Sequence, residues 1–336
     1  MKITFFEVPE KEQPIFLKAF DGVEVFCFEN KLKEETAYLA KDSDIVSVFV
    51  GSLVDKSVVD TIPNLKFIAT RSTGFDHIDR EYCASKGIQV SNVPAYGSRT
   101  VAEFAFALLL SLTRKIFGAA RQLKEQGEFS IFGFEGMDLN EKIIGVIGTG
   151  KIGKNVIRIA KGFNMKVIAY DLYPDVNFAK ELDFEYKSLQ EVLTQSDVIT
   201  LHAPYTKDNH HLINKENIAT MKKGVYLINT ARGELIDTDA LIWGLNEKII
   251  GGLGLDVMEG ERELKEEVEI LASKSKSENV KDYKTLLEDR VLIEMPNVII
   301  TPHIAFDSKE AEGEIIKTTV ENIKGFISGT TQNLVK

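Results

Sequence analysis

Cysteine is almost absent: Cys27 and Cys83 are the only two in 336 residues, and neither stands in a CxxC or Cys/His spacing. That scarcity excludes a disulfide framework and a cysteine-built zinc site, so two reduced thiols, a cytoplasmic location and no metal are expected. Basic residues are also few, with 41 Lys and Arg against 51 Asp and Glu, a formal charge of -10 and a pI near 5.2. A nucleic-acid partner is therefore not expected, because phosphate backbones require concentrated Lys and Arg. Long hydrophobic runs are missing as well. The most apolar helical stretch, VAEFAFALLLSLTRKIF from Val101, carries Glu103 early and basic residues late. It is too short to cross a bilayer and reads as a buried helix at a subunit contact, so no membrane partner is expected. The opening MKITFFEVPEKEQ is interrupted at Glu7 and Pro9 before it could form a signal-peptide core, so export is not expected. No repeat of 20 to 50 residues recurs, which excludes a solenoid.

What is present is an ordinary globular composition, 44% hydrophobic with a mean hydropathy of -0.07, in a chain long enough for two domains of roughly 100 to 200 residues. Short β-branched or aromatic runs alternate with amphipathic stretches. In the first hundred residues ITFF, VEVFCF, IVSVFV, LKFIAT and GIQVSNV read as strands. The pattern restarts near residue 143 with KIIGVIG, MKVIAYD, DVITLHAP, GVYLINTA, GLGLDV and NVIITPHIA. Strands separated by helices predict an α/β fold of two doubly wound parallel sheets. A charged stretch between Glu261 and Met295 breaks the alternation and marks an insertion at about 262–294. It is either a solvated excursion or a lid.

The strongest local motif is IIGVIGTGKIGKNVIRIAKGFNMKVIAYD, which sets Gly148-x-Gly150-x-x-Gly153 between an apolar strand and a helix. Gly148 permits the tight turn, Gly150 lets the backbone approach a pyrophosphate, and Gly153 lets helix and strand pack closely. With Thr149, Lys151 and Ile152 these glycines form a phosphate cradle at a helix N-terminus. Asp171 follows Gly153 by 18 positions. A carboxylate there accepts from the adenosine ribose hydroxyls and repels a 2′-phosphate, which favours NAD over NADP.

Ligands of open α/β sheets bind beyond the carboxyl ends of the strands. At those ends stand His202 and Pro204, then Thr230, Ala231, Arg232 and Gly233, then Asp256, then His303. Each alone reads more readily as a cap or a surface residue, but jointly, beside a nucleotide loop, they point to a site. Arg232 suits a planar carboxylate. His303 can exchange a proton near neutral pH, and Glu261 is a candidate partner to orient its ring.

The ordered set GVIGTGKIG, LINTARGELID, GLGLDVMEGE and ITPHIA resembles the D-isomer-specific 2-hydroxyacid dehydrogenases over essentially the whole chain. RSTGFDHID, NVPAY and TPHIAF resemble the fermentative D-lactate dehydrogenase branch in particular. The resemblance implies that Arg232 binds substrate, that His303 is the general acid and base, and that Glu261 pairs with it. It also implies that Tyr96 and Phe306 line the substrate pocket, that the backbone at Thr73 and Gly74 holds the carboxylate, and that Asp256 holds the nicotinamide carboxamide. His202, Pro204, Thr230 and Ala231 are expected against the cofactor.

The implied architecture is a Rossmann NAD-binding domain at 99–299 and a discontinuous flavodoxin-like substrate domain at 1–98 and 300–336, in a homodimer formed through the helix near Arg99. The implied reaction is reversible hydride transfer between NADH and pyruvate, a small 2-keto acid, giving D-lactate. The alternatives are a bulkier 2-keto acid such as phenylpyruvate or 2-ketoisocaproate, or an NADH-sensing co-repressor-like binding protein. Two features depart from the family pattern. Arg262 stands where many members have proline, and 42 positions separate Glu261 from His303.

Overall fold

A computed structural model describes residues 1–94, 96–261 and 280–335, with only the backbone for 280–286. Most of the expected insertion at 262–294 lies outside the described residues; its last part is a helix, Val280–Glu294. The chain divides into two compact units, Met1–Tyr96 with Ser308–Lys336, and Gly97–Asp307. No helix among the described residues is long and apolar enough to cross a membrane.

The first unit carries strands β1 (Lys2–Phe5), β2 (Glu24–Cys27), β3 (Ile45–Val48), β4 (Phe67–Thr70) and β5 (Gln89–Ser91). All pairs are parallel, in the order β2-β1-β3-β4-β5, the flavodoxin-like order. Strands β3 and β4 are buried on both faces, as a sheet covered on both sides by helices requires. The C-terminal helix Lys309–Ser328 joins this unit by stacking Phe326 on Phe67 of β4, ring centroids 4.4 Å apart.

The second unit holds β6 (Ile143–Ile147), β7 (Lys166–Tyr170), β8 (Glu185–Tyr186), β9 (Val198–Leu201), β10 (Val225–Asn229), β11 (Ile250–Leu255) and β12 (Val298–Ile300). The order is β12-β11-β10-β9-β6-β7-β8, again all parallel. Strand β8 is a two-residue strand, too short for a periodicity reading to find. Strand order reverses between β6 and β9, the switch point where such sheets bind nucleotides. The register is level at that edge: Ile147 pairs with both Tyr170 and Leu201, Asn229 with Leu201 and Leu255, and Leu255 with Ile300. Gly148, Asp171, His202, Thr230, Asp256 and Thr301 therefore leave their strands along one line.

The apolar helix Ser98–Thr113 buries Val101, Ala102, Ala105, Phe106, Leu108, Leu109 and Leu112 in this unit. Glycine in β11 admits it: a Cβ on Gly254 would lie 3.2 Å from Leu108 Cβ and 2.8 Å from Ile228 Cδ1. The chain returns to the first unit at Ser308, later than the boundary near 300 suggested by the sequence. Residues 301–307 stay with the second unit because Asp256 accepts from the N–H groups of Ile304 and Ala305 and because Phe306 packs 3.5 Å from the position of a Cβ on Gly97.

Candidate active site

The loop after β6 has the form a dinucleotide needs. Gly148 sits at φ 90°, and a Cβ there would lie 2.6 Å from the Ala203 nitrogen; a Cβ on Gly153 would lie 2.0 Å from the Gly148 carbonyl oxygen. A Cβ on Gly150 would meet nothing within 4 Å, so its backbone faces open space at the start of helix Lys151–Gly162. Lys151 and Ile152 fill the first turn, where free N–H groups and the positive dipole end attract phosphate. Asp171 Oδ2 accepts from the Thr149 N–H at 2.5 Å and the Thr149 hydroxyl at 2.8 Å, while Oδ1 accepts from the Tyr173 N–H at 2.8 Å. The Tyr186 hydroxyl, 2.9 Å from Thr149 Oγ1, completes this anchor from β8.

Beyond β9 and β10 stand two buried polar atoms without partners among the described residues, His202 Nδ1 and Thr230 Oγ1. An unsatisfied buried polar group costs about 1–3 kcal/mol, and the amide and hydroxyl groups of a dinucleotide could satisfy both. The His202 ring is fixed by its Nε2, 2.8 Å from Thr200 Oγ1, and burial drives its pKa down to about 3. Pro204 shapes the following loop by accepting from Asn209 Nδ2 at 2.8 Å. The residues present therefore fit NAD.

His303 and Glu261 meet from two loops. His303 Nδ1 lies 3.0 Å from Glu261 Oε2, while Glu261 Oε1 accepts from the Met258 N–H at 3.3 Å. The carboxylate is thus turned to offer its second oxygen to the imidazole. His303 has a φ of 57°, a left-handed conformation that non-glycine residues seldom adopt. Asp256, 1% exposed, holds it there: it accepts from Thr301 Oγ1 at 2.5 Å, the Ile304 N–H at 2.9 Å and the Ala305 N–H at 2.8 Å. Burial pushes the Asp256 carboxyl up, against the pull of those hydrogen bonds and of His303. The resemblance assigns Asp256 to the nicotinamide; the geometry gives it the further task of positioning His303. Thr301 is not singled out by the sequence reading, although a hydroxyl between a strand end and Pro302-His303 is the signal that could have found it.

Arg232 leaves β10 in extended backbone at φ -147°. Its Nη1 donates to the Ala231 carbonyl at 2.7 Å, and Asn229 ties the turn by accepting from the Ala231 N–H and donating to the Arg232 carbonyl. Gly233 is indispensable here, because a Cβ would lie 2.0 Å from the Met258 carbonyl carbon and 2.3 Å from the Glu259 nitrogen. The arginine loop and the glutamate loop therefore touch backbone to backbone. The Phe306 ring stands edge-on to His303, centroids 6.4 Å apart at 72°.

Thr73, Gly74 and Tyr96 belong to the first unit. The Gly74 carbonyl accepts from Ser72 Oγ at 2.6 Å and the Thr73 carbonyl from Asn92 Nδ2 at 2.8 Å. The amides of Thr73 and Gly74 donate to no backbone carbonyl among the described residues, which suits them to an anion.

Residues 106–305 match the family described as D-isomer specific 2-hydroxyacid dehydrogenase, NAD binding domain. The aromatic 2-oxoacid reductase of Clostridium sporogenes is 42% identical over 301 residues, covering 88% of this chain and 87% of that protein. The D-lactate dehydrogenase of Escherichia coli is 38% identical over 315 residues, 92% of this chain and 91% of the relative. Among solved structures, D-lactate dehydrogenase from Aquifex aeolicus, complexed with NAD and lactic acid, superposes with a TM-score of 0.85 at 38% identity, covering 98% of this chain and 96% of the other.

The buried neutral His202 carries a consequence for acid stability. An unfolded histidine takes up its proton near pH 6.5, whereas this ring does so only near 3. Its contribution to stability is therefore complete above 6.5 and is lost as pH falls towards 3, at about 1.4 kcal/mol per pH unit. Urea unfolding of the cofactor-free protein between pH 6.5 and about 4.5 should show that slope, and His202→Gln should flatten it. An unchanged slope in the variant would mean that the native ring is already protonated.

Proposed function

This chain belongs to the D-isomer-specific 2-hydroxyacid dehydrogenases, and we propose that within the family it reduces pyruvate to D-lactate with NADH. The observation that carries the reading is the setting of His303: Glu261 3.0 Å from Nδ1 on one side and the Phe306 ring edge-on at 6.4 Å on another. With Nδ1 committed to Glu261, Nε2 is the nitrogen left to serve the substrate. The Phe306 ring, three residues from His303, is read as limiting the substrate to a short apolar side chain on the keto carbon.

In the proposed reaction Arg232 binds the substrate carboxylate by charge-assisted hydrogen bonds. When bound, NADH supplies the hydride. His303 donates its Nε2 proton to the C2 oxygen, where negative charge develops, and Glu261 keeps the ring from turning. One proton is consumed for each keto acid reduced, so oxidation of the hydroxy acid is favoured at higher pH. The two thiols, one buried and one half-buried, with no partner in a disulfide, suit a reducing cytoplasm.

A second reading, reduction of an aromatic 2-oxoacid, is favoured by the similarity to the Clostridium sporogenes reductase. There Phe306 would stack against a substrate ring instead of excluding it. Loss of NADH absorbance with pyruvate, phenylpyruvate, 2-ketoisocaproate and glyoxylate separates the two readings. The kcat/KM for pyruvate should exceed the others by roughly tenfold or more, about 1.4 kcal/mol of discrimination, and the product should be the D isomer. A preference for phenylpyruvate would replace the first reading with the second. No turnover on any of the four would overturn both.

The assigned roles separate kinetically. His303→Ala should lower kcat by about 10²–10⁴ with NADH affinity unchanged. Arg232→Ala should act mainly on keto-acid binding, raising KM by roughly 30-fold or more for the loss of about 2–3 kcal/mol of charge-assisted hydrogen bonding. Full activity in His303→Ala would remove it from the mechanism.

We also propose a homodimer, and what supports it is unspent apolar surface. The helix Ile116–Gln126 and the segment after it expose Phe117 (61%), Phe129 (92%), Ile131 (84%) and Phe132 (85%), a concentration that monomers seldom leave to water. Sedimentation should give a dimer at micromolar concentration, and Phe117→Glu with Phe132→Glu should give monomers. A monomeric parent protein would refute this.

A further inference from the structure

Apart from the acid–base pair, two loops of the second unit bring together His210, His211 and Glu259, with one ligand atom of each within 4.8 Å of the others. The reaction above uses none of them. His211 adopts φ 51°, the left-handed region, and is held there by its N–H donating to the Glu234 carbonyl at 2.9 Å. The turn lays its ring against that of His210, centroids 3.8 Å apart and 24° from parallel. His211 Nε2 is 3.1 Å from Glu259 Oε1, and Thr238 Oγ1 lies 3.5 Å from Oε2. Tyr205 OH lies 3.5 Å from His210 Nδ1.

A hydrogen bond accounts for the His211–Glu259 contact. It does not account for a second imidazole laid on the first, with a nitrogen of each within reach of one carboxylate. We propose that His210, His211 and Glu259 bind a borderline divalent transition-metal ion, of which Zn²⁺ is the type. Two imidazoles and a carboxylate suit zinc and its first-row neighbours, whereas Mg²⁺ and Ca²⁺ require mostly oxygen. Bonds of about 2.0–2.1 Å set tetrahedral ligands roughly 3.4 Å apart, so from within 4.8 Å the His210 ring must close by up to about 1.4 Å. Its exposure leaves it free to do so. Partial exposure of His211 and Glu259, 31% and 24%, leaves the fourth position to water.

Such an ion acts on structure. Glu259 lies two residues before Glu261, in a turn whose backbone already presses on Gly233. A filled site ties the 205–211 loop to that turn and raises the melting temperature by mass action. The site is hidden in the sequence because 48 positions separate His211 from Glu259.

The test uses full-length metal-free enzyme without a polyhistidine tag, titrated with Co²⁺ by visible absorption and with Zn²⁺ by calorimetry. Expected are one equivalent per chain, d–d bands, and binding weakened at least about tenfold in both His210→Ala and Glu259→Gln. His303→Ala, which removes the active-site His–Glu pair, should leave binding intact. The proposal is overturned by no saturable binding up to about 1 mM, by unchanged affinity in both His210→Ala and Glu259→Gln, or by a loss confined to His303→Ala.

Discussion

The carboxylate of Asp256 is the constraint from which the site is built. It is buried at the end of β11 and accepts from one hydroxyl and two backbone amides of the segment that follows β12. Burying a carboxylate is costly unless every oxygen finds donors. Here the donors are the chain on both sides of His303, so satisfying Asp256 and placing His303 are one event. The left-handed backbone at His303 persists because the residues after it are already committed. The same bonds hold the 301–307 segment in the nucleotide unit.

A second constraint is steric. Gly233 lets the arginine turn and the glutamate turn meet backbone to backbone, so Arg232 and Glu261 share one frame. Asn229 fixes the arginine turn from within β10, and the Met258 amide fixes the carboxylate from within its own loop. Arg232, His303 and Glu261 are thus placed by backbone contacts, which is how a site stays preorganised.

Much of this was legible in the sequence because it is local. The glycines at 148, 150 and 153 report their own backbone needs, and strand, loop, helix and acid in register leave little freedom for the fold around them. The alternation of apolar runs gave both sheets, since buried parallel strands are continuous apolar runs whatever their partners. What escaped is non-local or short. Strand β8 has two residues, so Tyr186 stands in no pattern that points to Thr149. Asp256 reads as one more polar strand end, and its partners lie up to 49 positions away. The break at Ser308 instead of near 300 depends on those same bonds. His210, His211 and Glu259 meet only because two loops at one sheet edge fold towards each other.

The level ends of the parallel strands have a consequence for tolerance to change. Because β11 and β12 are neighbours with Leu255 opposite Ile300, the points where the chain leaves one strand and re-enters the next are set by the sheet and not by the length of what runs between them. Closing a longer excursion costs only about 0.6 kcal/mol for each doubling of its length. Glu261 and His303 thus meet at 3.0 Å although 42 positions separate them, at little cost in loop-closure entropy.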